Sequence, residues 1–222
     1  MSGTLDLILF GMIAVFLVLR LRSILGRRTG FERPEQPAAG APGRVGPVIE
    51  GRAVKMPDPP RRALPDPASP TGQTLIAIQR IDPQFDPARF LDGAEAAFRR
   101  IVTAFAAGER TALAPLLTTD TFNAFTTAMA AREASGETQT SEIKTILDVI
   151  IEHATLRPGP ANNQIADITV RFVSHQVNMV KDKDGKPVSG SDGITELADI
   201  WGFERVLGSA EPTWRLASAQ SA

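Results

Sequence analysis

The fold is decided by SEIKTILDVIIEHATL (Ser141–Leu156) and ADITVRFVSHQVNMV (Ala166–Val180). Both stretches are rich in Ile, Val, Thr and Phe, with the apolar and polar alternation of half-buried β-strands. The turn-forming sequence RPGPANN (Arg157–Asn163) separates them, so we expect two long antiparallel strands. Beyond a polar, glycine-containing loop, two further strands are predicted at Thr195–Leu207 and Thr213–Ala219.

Helical spacing replaces this alternation upstream of the strands. A first amphipathic helix ends near Gly108, a short one covers Ala112–Leu117, and a third begins after the capping residues Thr119 and Asp120. An apolar arm, Thr74–Ile81 (TLIAIQRI), precedes them. Helices first and strands afterwards predict an α+β fold, with the helices packed on one face of a curved antiparallel sheet. The first helix is defined by apolar residues at helical spacing: Phe90, Ala94, Ala97, Phe98, Ile101, Val102 and Phe105.

The N-terminus is predicted to be a membrane anchor. Residues 7–19 (LILFGMIAVFLVL) contain only apolar residues and glycine, which approaches the ~20 residues of a membrane-spanning helix. Arg20, Arg22, Arg27 and Arg28 follow this run, the reverse of the charge order in a cleavable signal peptide. Basic residues favour the cytoplasmic side, so we expect residues 1–25 to be a single-pass signal anchor with its N-terminus outside and the remaining chain cytoplasmic.

A proline-rich spacer follows the anchor. Residues 30–71 contain ten prolines, which remove backbone donors and favour extended conformations. We therefore divide the chain into the anchor (1–25), a disordered linker (26–73) and one folded domain (74–222).

Composition excludes several classes of function. The net charge is −1, from 24 basic and 25 acidic residues, so there is no broad basic field to attract nucleic acid. The chain has no cysteine, which excludes disulfides, thiolate catalysis and cysteine-ligated zinc. It also lacks tyrosine and has only two histidines, a small supply for acid–base catalysis. We predict no enzymatic activity, no cofactor and no metal.

Four pieces of the chain, in order, resemble the Tim44-like domain family. They are FLDGAEAAFRRIVTAF (Phe90–Phe105), GERTALAPLL (Gly108–Leu117), ITVRFVS (Ile168–Ser174), and the pair IWGFER (Ile200–Arg205) and PTWRL (Pro212–Leu216). The resemblance implies a cystatin-like cone, related to the nuclear transport factor 2 superfamily, with an apolar pocket between helices and sheet. The bacterial members of this family are chiefly alphaproteobacterial proteins. The resemblance therefore implies that the anchored chain lies in a bacterial inner membrane.

The family's namesake anchors a chaperone to the mitochondrial preprotein channel at the inner membrane. Its long charged N-terminal region has no counterpart here, where the anchor and spacer precede the domain, so the resemblance does not imply a chaperone partner. It does imply membrane association and an adaptor role.

Aromatic residues near the C-terminus are the first candidate site. Trp201, Phe203 and Trp214 alternate with polar neighbours, so each can point inward from its strand. They either pack in the core or line a pocket for an apolar ligand or peptide. Arg205 is expected to pair with Asp199 or to reach a carbonyl oxygen.

The arm, together with the residues that follow it as far as Phe90, is the second candidate site. It either presses into a lipid interface, with Arg80 and Arg89 meeting anionic headgroups, or folds onto its own domain or another copy. Its apolar residues are Leu75, Ile76, Ile78, Ile81, Phe85 and Phe90.

Two further patterns are interpreted as structural. His153 and His175 lie on adjacent predicted strands but lack the additional ligands of a metal site. Asp182, Asp184 and Gly185 superficially match a calcium loop, but the closing glutamate is missing, so a hairpin turn is expected.

Two hypotheses of function remain. The first is a membrane-tethered, non-enzymatic adaptor that binds integral membrane proteins or translocating polypeptides at the cytoplasmic face of the inner membrane. The second is a small-apolar-ligand-binding or enzymatic member of the cone-shaped superfamily.

Overall fold

The computed structural model describes residues 59–209, 211 and 213–222. Four helices occur in this part: α1 (Pro70–Ile81), α2 (Pro87–Ala107), α3 (Arg110–Leu113) and α4 (Thr119–Ala134). The strands are β1 (Arg61–Ala63), β2 (Thr138–Pro158), β3 (Gln164–Lys181), β4 (Pro187–Val206) and β5 (Arg215–Ser221), and a 3-10 turn (Pro160–Asn162) joins β2 to β3.

The five strands form one sheet in the order β1-β2-β3-β4-β5. Strands β2 to β5 are an antiparallel meander, and β1 pairs in parallel with β2. Three register shifts along the β2–β3 ladder interrupt regular pairing, and such bulges bend a strand. The predicted α+β class, with helices and an antiparallel meander, is thereby confirmed for the described residues, whereas the parallel pairing of β1 was not predicted.

The core lies between the helices and one face of the sheet. From Ala166 to Val180 the side chains of β3 alternate, so that Ile168, Val170 and Phe172 are fully buried while their neighbours are partly exposed. Helix α2 covers this face with Leu91 and Phe98, which are 1% and 0% exposed. The apolar face predicted for this helix is therefore the one that meets the sheet.

Helix α2 is fixed at both ends by its sequence. Asp86 caps the N-terminus, accepting a hydrogen bond from the Arg89 backbone N–H at 2.7 Å, and Pro87 takes the first turn, where no amide donor is needed. Gly108 ends the helix in the left-handed conformation, at φ 78°, which glycine adopts without steric cost. These caps position the helix that forms one wall of the site described below.

Several predicted boundaries need correction. The sequence assigns residues 61–63 and 70–73 to a disordered linker, but these residues form β1 and the first turn of α1. The predicted apolar arm is helical, because Ser69 caps its N-terminus by accepting from the Gly72 N–H, and Pro70 is tolerated in the first turn.

Strand β4 also begins earlier than predicted, at Pro187 rather than Thr195. The glycines in this stretch suggested a loop. Gly190 instead continues the ladder opposite Met179 with φ 78°, and a Cβ there would lie 2.1 Å from the Asn178 carbonyl oxygen. Only glycine fits this close backbone approach.

The predicted hairpin turn between β3 and β4 is present. The Asp182 carboxylate accepts hydrogen bonds from the backbone N–H groups of Asp184 and Lys186, both at 2.9 Å. An Asx-type turn of this kind accounts for the acidic residues without an ion.

The predicted membrane anchor, residues 1–25, lies outside the described residues. Among the helices that the structure describes, none is both long enough and apolar enough to cross a bilayer.

Candidate functional site

Trp201 lies in the core. It is 1% exposed and packs edge-on against Phe98 and Phe172, whose rings stack on each other with centroids 4.3 Å apart. Its indole N–H has no hydrogen-bond partner among the described residues. A ligand could reach Trp201 only by displacing α2.

Trp214, by contrast, is partly exposed beside an open groove between α2 and the C-terminal strands, and Phe203, itself only 1% exposed, lies under the floor of this groove. The Phe90 ring contacts both, with centroid distances of 6.0 Å to Phe203 and 4.9 Å to Trp214. The groove has a volume of about 330 Å³. Its floor is apolar and comprises Phe90, Ala94, Ala97, Leu116, Phe203 and Trp214.

The α2 wall of the groove is formed by exposed residues at helical spacing. Arg89, Gly93, Ala96 and Arg100 lie along one edge. Small residues stand in the middle of this wall and an arginine stands at each end. The groove is therefore apolar inside and positively charged at its rim.

The two rim arginines differ from their neighbours. Within the described part of the chain, neither Arg89 nor Arg100 makes an ion pair, whereas Arg99 binds Glu95 at 3.2 Å and Arg62 binds Glu95 at 2.8 Å. Arg62 also pairs with Asp92, so the acidic residues of α2 are already neutralised. Positive charge on this face is left available for a ligand.

Arg205 supports the groove from behind. Its guanidinium lies 2.7 Å from the Asp82 carboxylate, at the end of α1, and 5.9 Å from the centroid of the Trp214 ring. The expected pair with Asp199 is wrong, because six residues along a strand separate the two side chains by about 20 Å. Asp82 reaches Arg205 because α1 ends beside β4.

The arm predicted to touch lipid folds onto its own domain. Leu75, Ile78, Phe85 and Phe90 are between 0% and 6% exposed and belong to the core. Ile76 is partly buried, and Ile81 is 44% exposed. Helical spacing puts Leu75 and Ile78 on the buried side of α1, and Phe85 and Phe90 follow this helix into the core, which removes most of the predicted membrane contact.

The two histidines do not form a site. His153 is exposed and pairs in register with Thr169, whereas His175 pairs with Thr145 and lies 3.4 Å from Glu196. In the part of the chain that the structure describes, no three Asp, Glu or His side chains are grouped to hold a metal ion.

Sequence reasoning identified Phe203 and Trp214 but missed the α2 wall. Gly93, Ala96 and Arg100 were not singled out, because they lie on the face of α2 that a simple two-layer fold leaves to solvent. The available signal was Gly93, since a glycine in the middle of a strongly amphipathic helix weakens it.

The described residues thus form a helix-covered, mainly antiparallel sheet with an open apolar groove. The family model for the Tim44-like domain matches residues 71–221, and the chain belongs to this family. Membership of this family supports a general role as a membrane-associated adaptor connected with protein transport.

No curated protein matches the chain. Among solved structures, the chain is similar to the intermembrane space region of the chloroplast protein ARC6. The identity is 12% and the TM-score 0.41, over 63% of this chain and 98% of that one.

Proposed function

We propose that this protein is a non-enzymatic adaptor that binds an apolar polypeptide segment in the groove between α2 and Trp214. The segment belongs to an integral membrane protein or to a polypeptide in transit. Residues 1–25 tether the domain to the cytoplasmic face of a bacterial inner membrane.

The proposal depends on one observation: large apolar side chains line an open groove. Trp214 and Leu116 are only partly buried although they border the core. Ligand sites combine such apolar walls with a few polar groups at the edge, here Arg89 and Arg100. Tethering raises the local concentration of the domain at the membrane, so modest affinity for each segment suffices.

A second candidate function is binding of a small apolar metabolite. The groove volume of about 330 Å³ favours this candidate, because it lies within the range of small-molecule pockets, at the lower end. The groove is open along α2 rather than enclosed, which suits a polypeptide segment lying along the helix better than a small molecule.

The test is site-specific photo-cross-linking in intact membranes. A photo-reactive residue replaces Ala96, an exposed residue of the groove wall, and Ala130, an exposed alanine of α4, serves as the control position. We expect Ala96 alone to capture defined polypeptides and Trp214→Ala to abolish the capture, with circular dichroism confirming that this variant is folded. Capture of only lipid or a metabolite at Ala96 contradicts the adaptor function.

A further inference from the structure

Residue 93, in the groove wall, is a glycine that the fold of the domain does not require. It lies within α2, where glycine is less favourable than alanine by roughly 0.5–1 kcal/mol. A Cβ atom at this position would meet nothing within 4 Å, so no neighbouring group of the domain requires the glycine. Its effect is to leave the α2 backbone accessible at the centre of the groove.

The neighbours of Gly93 extend this accessible backbone. Ala96 and Ala97 follow it along the groove, and neither side chain reaches beyond a methyl group. Two helices pack with their axes 8–10 Å apart, and small residues at the contact permit the closer end of that range. The wall therefore fits a second helix better than it fits a flexible chain.

The charges at the rim define the polar edge of such a helix. Arg89 and Arg100 are eleven residues apart on α2, which at 1.5 Å per residue corresponds to roughly 16 Å along the groove. Neither arginine pairs within the described part of the chain, and guanidinium groups bind carboxylates in a bidentate geometry. Two carboxylates about three turns apart on a partner helix would meet both.

We infer that the groove binds an amphipathic helix with an acidic edge. The apolar face of this helix packs on Phe90, Leu116 and Trp214, its backbone crosses α2 at Gly93, and its carboxylates bind Arg89 and Arg100. This inference rests on the proposed function and specifies the chemistry of the partner.

Charge disfavours the alternative occupants. The apolar N-terminal run of this chain is followed by Arg20, Arg22, Arg27 and Arg28, which would repel the rim arginines. A single fatty acid or phospholipid headgroup presents one anionic centre and satisfies one end of the groove. An acidic helix satisfies both ends.

The experiment extends the Ala96 cross-linking in the full chain by mass-spectrometric identification of the captured segment. We expect a segment with helical apolar periodicity and at least two acidic residues on one edge. The double variant Arg89→Glu/Arg100→Glu should lower the capture at least tenfold, whereas Arg89→Lys/Arg100→Lys, which keeps the charge but loses the bidentate geometry, should lower it less. Gly93→Ala should weaken capture and Gly93→Leu should block it, whereas Ala130→Leu on α4, outside the groove, is the control that leaves it unchanged.

The outcomes separate this inference from the proposed function. If the captured polypeptide lacks acidic residues, or if charge reversal leaves the capture unchanged, the inference is wrong and the adaptor function stands. If Gly93→Leu captures as well as the wild type, the helix does not cross at Gly93 and the inference is again overturned. Capture of lipid alone, or of nothing, overturns both.

Discussion

The Asp82 and Arg205 side chains form the most deeply enclosed ion pair near the groove. Their side chains are 13% and 14% exposed, and the contact joins the end of α1 to β4. A partly buried charge left without its partner is strongly destabilising, whereas removing both charges is often nearly neutral. The pair therefore specifies where α1 docks more than it adds to the free energy of unfolding.

We expect Asp82→Asn to lower the free energy of unfolding by about 3 kcal/mol, because it leaves the Arg205 guanidinium buried without a countercharge. Asparagine keeps the side-chain oxygen that accepts from the Gln84 N–H, so the end of α1 is preserved. Urea denaturation followed by circular dichroism measures the change. The double variant Asp82→Asn/Arg205→Met should recover most of the loss, and a loss that persists would show that the charge is not its cause.

Glu204 lies on the outer face of β4 and links stability to pH. Burial raises its pKa above the ordinary value, although the Arg157 guanidinium, 2.6 Å away, opposes this shift. Because the folded state holds the proton more tightly than the unfolded chain does, Glu204 adds stability below its unfolded pKa. That contribution is lost as the pH rises through the folded value.

We therefore expect the stability difference between the wild type and Glu204→Gln to shift in favour of the variant as the pH rises from about 4 to 7. Glutamine retains an oxygen that can accept from Arg157. Denaturation curves of both proteins across this range provide the measurement. A difference that stays constant or moves toward the wild type would mean that the Arg157 interaction outweighs burial.

Helix α2 combines two roles that conflict at Gly93. Its buried face holds the core through Phe98, while its exposed face forms the groove wall. Good helix formers on the exposed face would strengthen the helix, yet a side chain at Gly93 would occupy the groove. Glycine at this position lowers the stability of the helix and keeps the groove accessible to a partner.

We expect Gly93→Ala to raise the free energy of unfolding by about 0.5–1 kcal/mol, since a Cβ there meets no other atom. Thermal or urea denaturation would detect this gain. Ala96→Gly is the reverse control on the same face and should lower stability by a similar amount. Destabilisation by Gly93→Ala would reveal a backbone constraint at this position.

At the scale of elements, the strands were easier to predict than the helices that precede them. The β2–β3 pair was expected at Ser141–Leu156 and Ala166–Val180 and extends only a few residues further at each end, because β-branched residues alternate along both strands. Helix α1 was missed as a helix because Pro65, Pro67 and Pro70 suggested a linker. Its start signal, a serine cap before proline, was present in the sequence.

The groove itself depends on tertiary structure. Alternation predicts that Trp201 and Phe203 share one buried face of β4, but not that the groove opens beside Phe203 and away from Trp201. Nor can sequence spacing show that Arg62 neutralises Glu95 while Arg89 and Arg100 stay unpaired among the described residues. The pairing of Arg62 follows from the position of β1, three residues that no sequence pattern marks.

For the whole molecule, β1 joins the two layers. Its parallel pairing opposite Asp148–Ile150 extends the sheet, Arg61 binds Asp148 on β2 at 2.9 Å, and Arg62 reaches Asp92 and Glu95 on α2. The family match begins only at residue 71, so β1 lies outside the matched segment. It nevertheless covers part of the β2 edge, and an unpaired edge strand promotes association with other chains.

We expect a chain of residues 65–222 to fold but to be less stable than a chain of residues 59–222, by about 1–2 kcal/mol, mainly through lost ladder hydrogen bonds. Both retain Asp66, whose backbone oxygen accepts from the Ser69 N–H ahead of α1, so helix capping is matched between them. Urea denaturation compares their stability, and light scattering compares their mass. Without β1, the shorter chain exposes the edge of β2 at Asp148–Ile150. We therefore expect it to self-associate at lower concentration. Equal stability and equal mass would show that β1 neither stabilises the sheet nor protects its edge from association.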